Sequence, residues 1–186
     1  MSQTYTHAPR PVSGPISFIL DGDRLTVDSG RKVQEVRLGA VEQVRITYEP
    51  RSFAQKAFQT RLRLKDGKSV TFSSLSWRSF IEAERLDRDY RAFSRALLHA
   101  VAEANPEARF LAGRPPAIWV ATLVLGGAGL LAMALFLWRA VEAGYTSAAL
   151  MGAFFLAAGI WQLEPMIRLN KPRTFTADDP PRDLLP

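Results

Sequence analysis

Residues 117–163 read AIWVATLVLGGAGLLAMALFLW, then RAVEAG, then YTSAALMGAFFLAAGIWQL. Two runs without a charged residue, Ala117–Trp138 and Tyr145–Leu163, flank a short break that carries Arg139 and Glu142. At a rise of about 1.5 Å per residue the first run reaches roughly 30 Å, the thickness of a hydrocarbon core. Lipid offers no partners to a bare backbone, so each run is read as a helix and the pair as a transmembrane hairpin. Trp119 and Trp138 bracket the first span, and Tyr145 and Trp161 the second, at the depth where aromatic rings favour the headgroup boundary. Pro115 and Pro116 precede the first helix, and Pro165 marks the end of the second.

Working outward, Arg109 and Arg114 stand before the hairpin and Arg168, Lys171 and Arg173 after it, whereas the turn holds Arg139 offset by Glu142. The positive-inside bias therefore places both termini in the cytoplasm and the chain, as a multi-pass protein, in an inner (plasma) membrane. Met1–Pro15 is polar and does not read as an export signal. No cysteine occurs, which excludes disulfides and thiolate chemistry. The net charge of +6 arises from 24 basic and 18 acidic residues. Such a surplus suits anionic lipid surfaces, but interspersed acids and the lack of a recognition motif argue against nucleic acid.

The chain before the hairpin divides into three parts. Residues 1–15 (MSQTYTHAPRPVSGP) read as a flexible lead-in, with His7 unpartnered. From Ile16 the pattern alternates with period two: Ile16–Leu20, a turn at Asp21-Gly22-Asp23, Arg24–Asp28, Lys32–Leu38, Val44–Tyr48, Phe58–Lys65, a turn at Asp66-Gly67, and Lys68–Ser73. About six strands with short connections make an antiparallel meander whose apolar face needs a cover. Ser74–Leu86 reads as a loop with Trp77, Phe80 and Ile81 as packing residues. The cover is a helix over Asp87–Ala104, where Tyr90, Phe93, Leu97 and Val101 recur at helical spacing, with Asp87 as N-cap and Asn105-Pro106 as stop. Residues 16–105 form one domain, 106–116 a linker and 164–186 an extended, proline-rich cytoplasmic tail.

The strand order closed by one amphipathic helix resembles a bacterial pleckstrin-homology-like domain. The resemblance rests on Leu38, Val41 and Val44 in an L-x-x-V-x-x-V run, and on the L-x-L-x-D-G-x-x-V-x-F run from Leu62 to Phe72. The whole chain is similar to two-span proteins of α-proteobacteria in Ser76-Trp77, in the run Tyr90–Phe93, and in the tail from Asn170 to Pro186. The resemblance implies an α+β fold, an antiparallel sheet or partly open barrel with a C-terminal capping helix, followed here by the membrane hairpin. It supplies no activity. Phosphoinositide-binding members of the wider superfamily carry clustered bases where this chain has Asp21-Gly22-Asp23, which speaks against that ligand.

No arrangement of nucleophile and base is visible, since the two histidines, His7 and His99, fall in the lead-in and on the helix. A catalytic, cofactor or metal site is therefore not expected; Asp21 and Asp23 lack the further oxygen ligands calcium requires. Arg61, Arg63 and Lys65 alternate along one strand and project three cations from one face, either a solvated surface or a contact for anionic lipid or an acidic protein segment. In the hairpin, Ala128 and Ala132, and Ala149, Ala153 and Ala157, form small-residue ridges expected to pack the two helices together or to join copies in a homo-oligomer. Glu164, at the inner boundary, is expected to anchor at the interface or to pair with Arg168. The reading is a non-enzymatic, membrane-anchored binding or scaffold protein; the alternative is a small oligomeric transport or channel component built from the hairpin.

Overall fold

The structure is a computed structural model that describes residues 2–11, 14–50, 56–80 and 82–185. The chain divides into two compact units, one from the N-terminus to Gly113 together with Arg173 onward, the other Arg114–Pro172.

In the first unit β1 (Gln3–His7), β2 (Ile16–Asp21), β3 (Arg24–Asp28) and β4 (Val33–Arg37) form an antiparallel four-stranded meander. A single 3-10 turn, Leu38–Ala40, leads into β5 (Val41–Tyr48), β6 (Phe58–Leu64) and β7 (Ser69–Ser73), which are antiparallel in a second sheet. Leu38, Val41 and Val44, the residues of the diffuse motif, are wholly buried, so the motif's spacing is that of a turn feeding a core strand. The segment after β7 is ordered as a hairpin, β8 (Leu75–Trp77) with β9 (Ala83–Arg85), rather than the loop expected. Trp77 is half-buried, but Phe80 is 76% exposed rather than packed; Ile81 lies outside the described residues.

The covering helix α1 spans Asp87–Ala104, as its periodicity predicts. Its N-cap is Leu86, with no side-chain cap, and Asp87 is the first helical residue; there its carboxylate pairs with Arg85 and favours the positive end of the helix. Asn105 ends the helix, and its side-chain amide donates to the Val41 carbonyl at 2.8 Å, tying the helix end to β5.

Three further segments differ from expectation. The lead-in is not a free tail: β1 pairs with β2 from Gln3↔Leu20 to His7↔Ile16 and buries Tyr5 and His7. The segment 106–116 is not a mere linker, because β10 (Arg109–Ala112) joins β5 in parallel. Nor is 164–186 an extended tail. β11 (Arg173–Thr174) pairs with β10, Phe175 meets Phe110 at 5.8 Å between ring centres, and Leu184 and Leu185 are buried. Short polar strands carry weak period-two signals, and a partner edge supplies what the local sequence does not.

The core gathers Tyr5, Phe18, Phe72, Tyr90 and Phe93. Phe72 sits centrally, with ring centres 5.4 Å from Phe18 and Phe93 and 5.7 Å from Tyr5 and Tyr90. Such offset and edge-on pairs add to simple burial. Burial pushes both phenols above their usual titration range, and each finds a partner: Tyr5 donates to the Ser73 carbonyl at 2.6 Å, and Tyr90 shares a 2.7 Å bond with the Thr60 hydroxyl.

The second unit is an antiparallel pair, α2 (Pro116–Glu142) and α3 (Thr146–Leu169), both long and apolar enough to cross a membrane. Gly144, at φ 74°, supplies the left-handed turn between them. Pro165 lies inside α3 rather than after it; a spanning helix tolerates proline where other groups take up the freed backbone. Close by, the Trp119 indole donates to the Ile167 carbonyl at 2.9 Å. Glu164 pairs with Arg168 as expected.

The alanine ridges do not make the helix seam. Ala128, Ala132, Ala153 and Ala157 are exposed and Ala149 half-buried. Glycines set the close approach instead: a Cβ on Gly126 would stand 2.6 Å from the Leu163 side chain, and one on Gly159 would stand 2.9 Å from Leu130. Both apolar faces of a membrane helix look alike to a hydropathy pattern, so the seam is chosen by shape. Gly126→Leu should therefore force the helices apart and lower the yield of an engineered disulfide across the seam, whereas Ala153→Leu should leave that yield unchanged.

Candidate functional site

The side of the second sheet that faces away from the core carries the candidate site. Along β6 the core residues Phe58, Thr60, Leu62 and Leu64 alternate with Gln59, Arg61 and Arg63, so a period of two sends both guanidiniums outward. Lys65 continues the row just beyond the strand and is exposed. The three predicted cations thus do share a face.

The register enlarges the row into a patch. Arg45 of β5 stands directly opposite Arg61, Gln43 opposite Arg63, and Arg109 of β10 beside Gln43. Four arginines from three strands, with Lys65 at the border, therefore occupy one face. β7 opposes them with neutral residues, Thr71 across from Arg61 and Ser69 across from Arg63. Glu42, at the β5 irregularity, stands 3.8 Å from Arg63, with both side chains more than half exposed; such a pair contributes little to stability.

Arg45 is the most constrained member. Its Nη1 donates to the Gly113 carbonyl at 2.9 Å, so the stem is held along the sheet. Burial first, and then the charge of Arg61, lowers its pKa, a sign that the site disfavours a second cation. Like charges directly opposite on neighbouring strands cost stability, on the order of 0.2–1 kcal/mol. An anion laid across the Arg45–Arg61 pair removes that penalty.

Alternation along Val44–Tyr48 turns Arg45 away from Val44 and Ile46, but nothing local makes it the neighbour of Arg61, and Arg109 belonged to an expected linker. No local signal gives a parallel pairing between strands separated by α1. His99 is exposed on α1, 3.6 Å from Asp178. Among the described residues no three His, Asp or Glu side chains are grouped to hold a metal ion. At the hairpin, Trp138 (with the Arg139 guanidinium 5.4 Å from its ring centre), Tyr145 and Trp161 are exposed, and Trp119 is half-buried. In comparison with known proteins, no family model, no curated protein and no solved structure matches this chain.

Proposed function

We propose that this is a non-enzymatic contact protein of the inner membrane, whose water-exposed unit is a pleckstrin-homology-like domain that docks an acidic segment of a partner protein on the Arg45–Arg61 face. The observation that carries the reading is the unbalanced cross-strand arginine pair, reinforced by Arg63 and Arg109. A sheet face that keeps two cations in register at a cost to its own stability is suited to an anionic partner. The run of antiparallel strands closed by α1 supports the pleckstrin-homology-like assignment. The two apolar helices and the flanking basic residues support a membrane hairpin with cytoplasmic termini.

A second reading, contact with anionic headgroups, is favoured by one feature. The chain leaves the first unit at Gly113 and re-enters it at Arg173, so that unit is joined to the hairpin at two points along the chain.

The full-length protein carrying a photo-reactive amino acid at Ser69 should give a discrete protein adduct in membranes of producing cells. Arg61→Glu with Arg63→Glu should weaken that contact on the order of fiftyfold, and rising ionic strength should weaken it in the wild type. An adduct indifferent to both changes removes the acidic-partner reading. Adducts to lipid alone, dependent on anionic headgroups, select the second. A corollary separates function from stability: Arg61→Thr should stabilise the first unit by about 0.5 kcal/mol while weakening the contact, as read by hydrogen exchange in β5 and β6.

A further inference from the structure

The four-stranded sheet ends on β4, whose far edge meets no further strand among the described residues. At one end of the β3–β4 ladder the Ser29 N–H donates to the Lys32 carbonyl at 3.1 Å, and at the other the Leu38 N–H donates to the Asp23 carbonyl at 2.8 Å. Antiparallel pairs alternate between bonded and non-bonded, so Gln34 and Val36 bond inward to β3 while the N–H and C=O groups of Val33, Glu35 and Arg37 point to the open edge. Their side chains share the wet face: Val33 is 61% exposed, and Glu35 and Arg37 are exposed too. Native sheets commonly blunt such an edge with lysine, proline or a bulge. β4 contains neither residue, and its register on β3 is unbroken. Its charges are also unevenly matched. Arg24 lies 3.7 Å from Glu35 and 3.9 Å from Asp23, whereas Arg37, directly across from Arg24, has no ion pair among the described residues.

We infer that the β4 edge is an interface between two copies of this chain, which pair β4 to β4 antiparallel about a two-fold axis at Val36. The inference does not depend on what the Arg45–Arg61 face contacts. Because a partner strand bonds to Val33, Glu35 and Arg37, only odd positions can face odd positions across the axis. Centred on Val36, that rule sets Glu35 opposite Arg37 of the second copy and Arg37 opposite its Glu35, so each arginine gains the carboxylate it lacks. The neighbouring registers are selected against by charge. Centred on Glu35 they set that carboxylate against itself, centred on Gln34 they set Arg37 against Arg31, and centred on Arg37 they set two guanidiniums together. The contact is isologous, as a two-fold requires, and joins two four-stranded sheets into one.

The test uses the full-length protein in lipid vesicles, spin-labelled through Ser17→Cys, a unique thiol because the chain has no cysteine. Ser17 is two strands from the contact, across from Asp28, which is across from Val33. Strand spacings of about 4.8 Å and a rise of about 3.3 Å per residue put the two labelled positions roughly 30 Å apart in the pair. Pulsed spin resonance should find that distance, with an amplitude that rises with the protein-to-lipid ratio. Arg37→Glu should weaken association about tenfold or more, since each Glu35 then meets a carboxylate. The same change sets a carboxylate against Arg24 within the monomer, so loss of the signal cannot be ascribed to a weakened fold. Adding Glu35→Arg to Arg37→Glu reverses both partners and should restore the distance. No distance near 30 Å, an amplitude indifferent to Arg37→Glu, or a double variant that stays monomeric would overturn the proposal.

Discussion

Phe72→Ala should destabilise the first unit by about 4 kcal/mol, the largest effect expected of any single substitution in the sheet core. Its ring is fully buried and touches Phe18, Phe93, Tyr5 and Tyr90, which belong to β1, β2 and α1. Removing it leaves a cavity among rings contributed by both sheets and the helix. Domains of this size are stable by roughly 5–15 kcal/mol, so the loss is a large fraction of the total. Hydrogen exchange of the full-length protein in nanodiscs should show β1, β7 and α1 losing protection together, while α2 and α3 keep theirs. Protection lost from β7 alone would mean that the aromatic cluster does not couple the layers.

Acidification should unfold the same unit, and His7 should account for much of the slope. Its folded pKa of about 4 lies below the ordinary 6.5, chiefly because burial disfavours the charged ring. Above about pH 6.5 both folded and unfolded chains hold a neutral imidazole, and the stability is fully present. As the pH falls from 6.5 towards 4 the unfolded chain takes up a proton that the folded chain refuses, and stability is lost across that window. The full shift corresponds to a loss of about 3 kcal/mol. His7→Phe should flatten the dependence between pH 6.5 and 4 and leave the carboxylate-driven fall below it. A wild-type slope retained in that variant would assign the effect to other groups.

The boundaries of most elements were legible in the chain. The strands from Ile16 to Ser73 and the helix Asp87–Ala104 follow from period two and period 3.6, because each has one buried and one wet face. The Asp21-Gly22-Asp23 and Asp66-Gly67 turns followed from glycines now seen at φ 55° and 83°. What escaped were Gln3–His7, Ala83–Arg85, Arg109–Ala112 and Arg173–Thr174. These are short and, apart from Phe110–Ala112, mostly polar, and each is a strand through the neighbour it pairs with rather than through its own residues. His7 illustrates the consequence: in the sequence it is a polar residue in a Pro- and Thr-rich lead-in, and in the fold it is a buried ring stacked on Phe18.

The candidate site divides along the same line. That Arg61, Arg63 and Lys65 share a face was determined by alternation within one strand, a property of the local backbone. That Arg45 stands against Arg61, and that Arg109 joins them, was decided by register between distant segments, which depends on how the core closes. Likewise, the uncharged lengths 117–138 and 145–163 determined two helices long and apolar enough to cross a membrane. Only tertiary structure selected Gly126 and Gly159, not the alanines, for the seam, because van der Waals fit between two apolar surfaces has no signature in hydropathy.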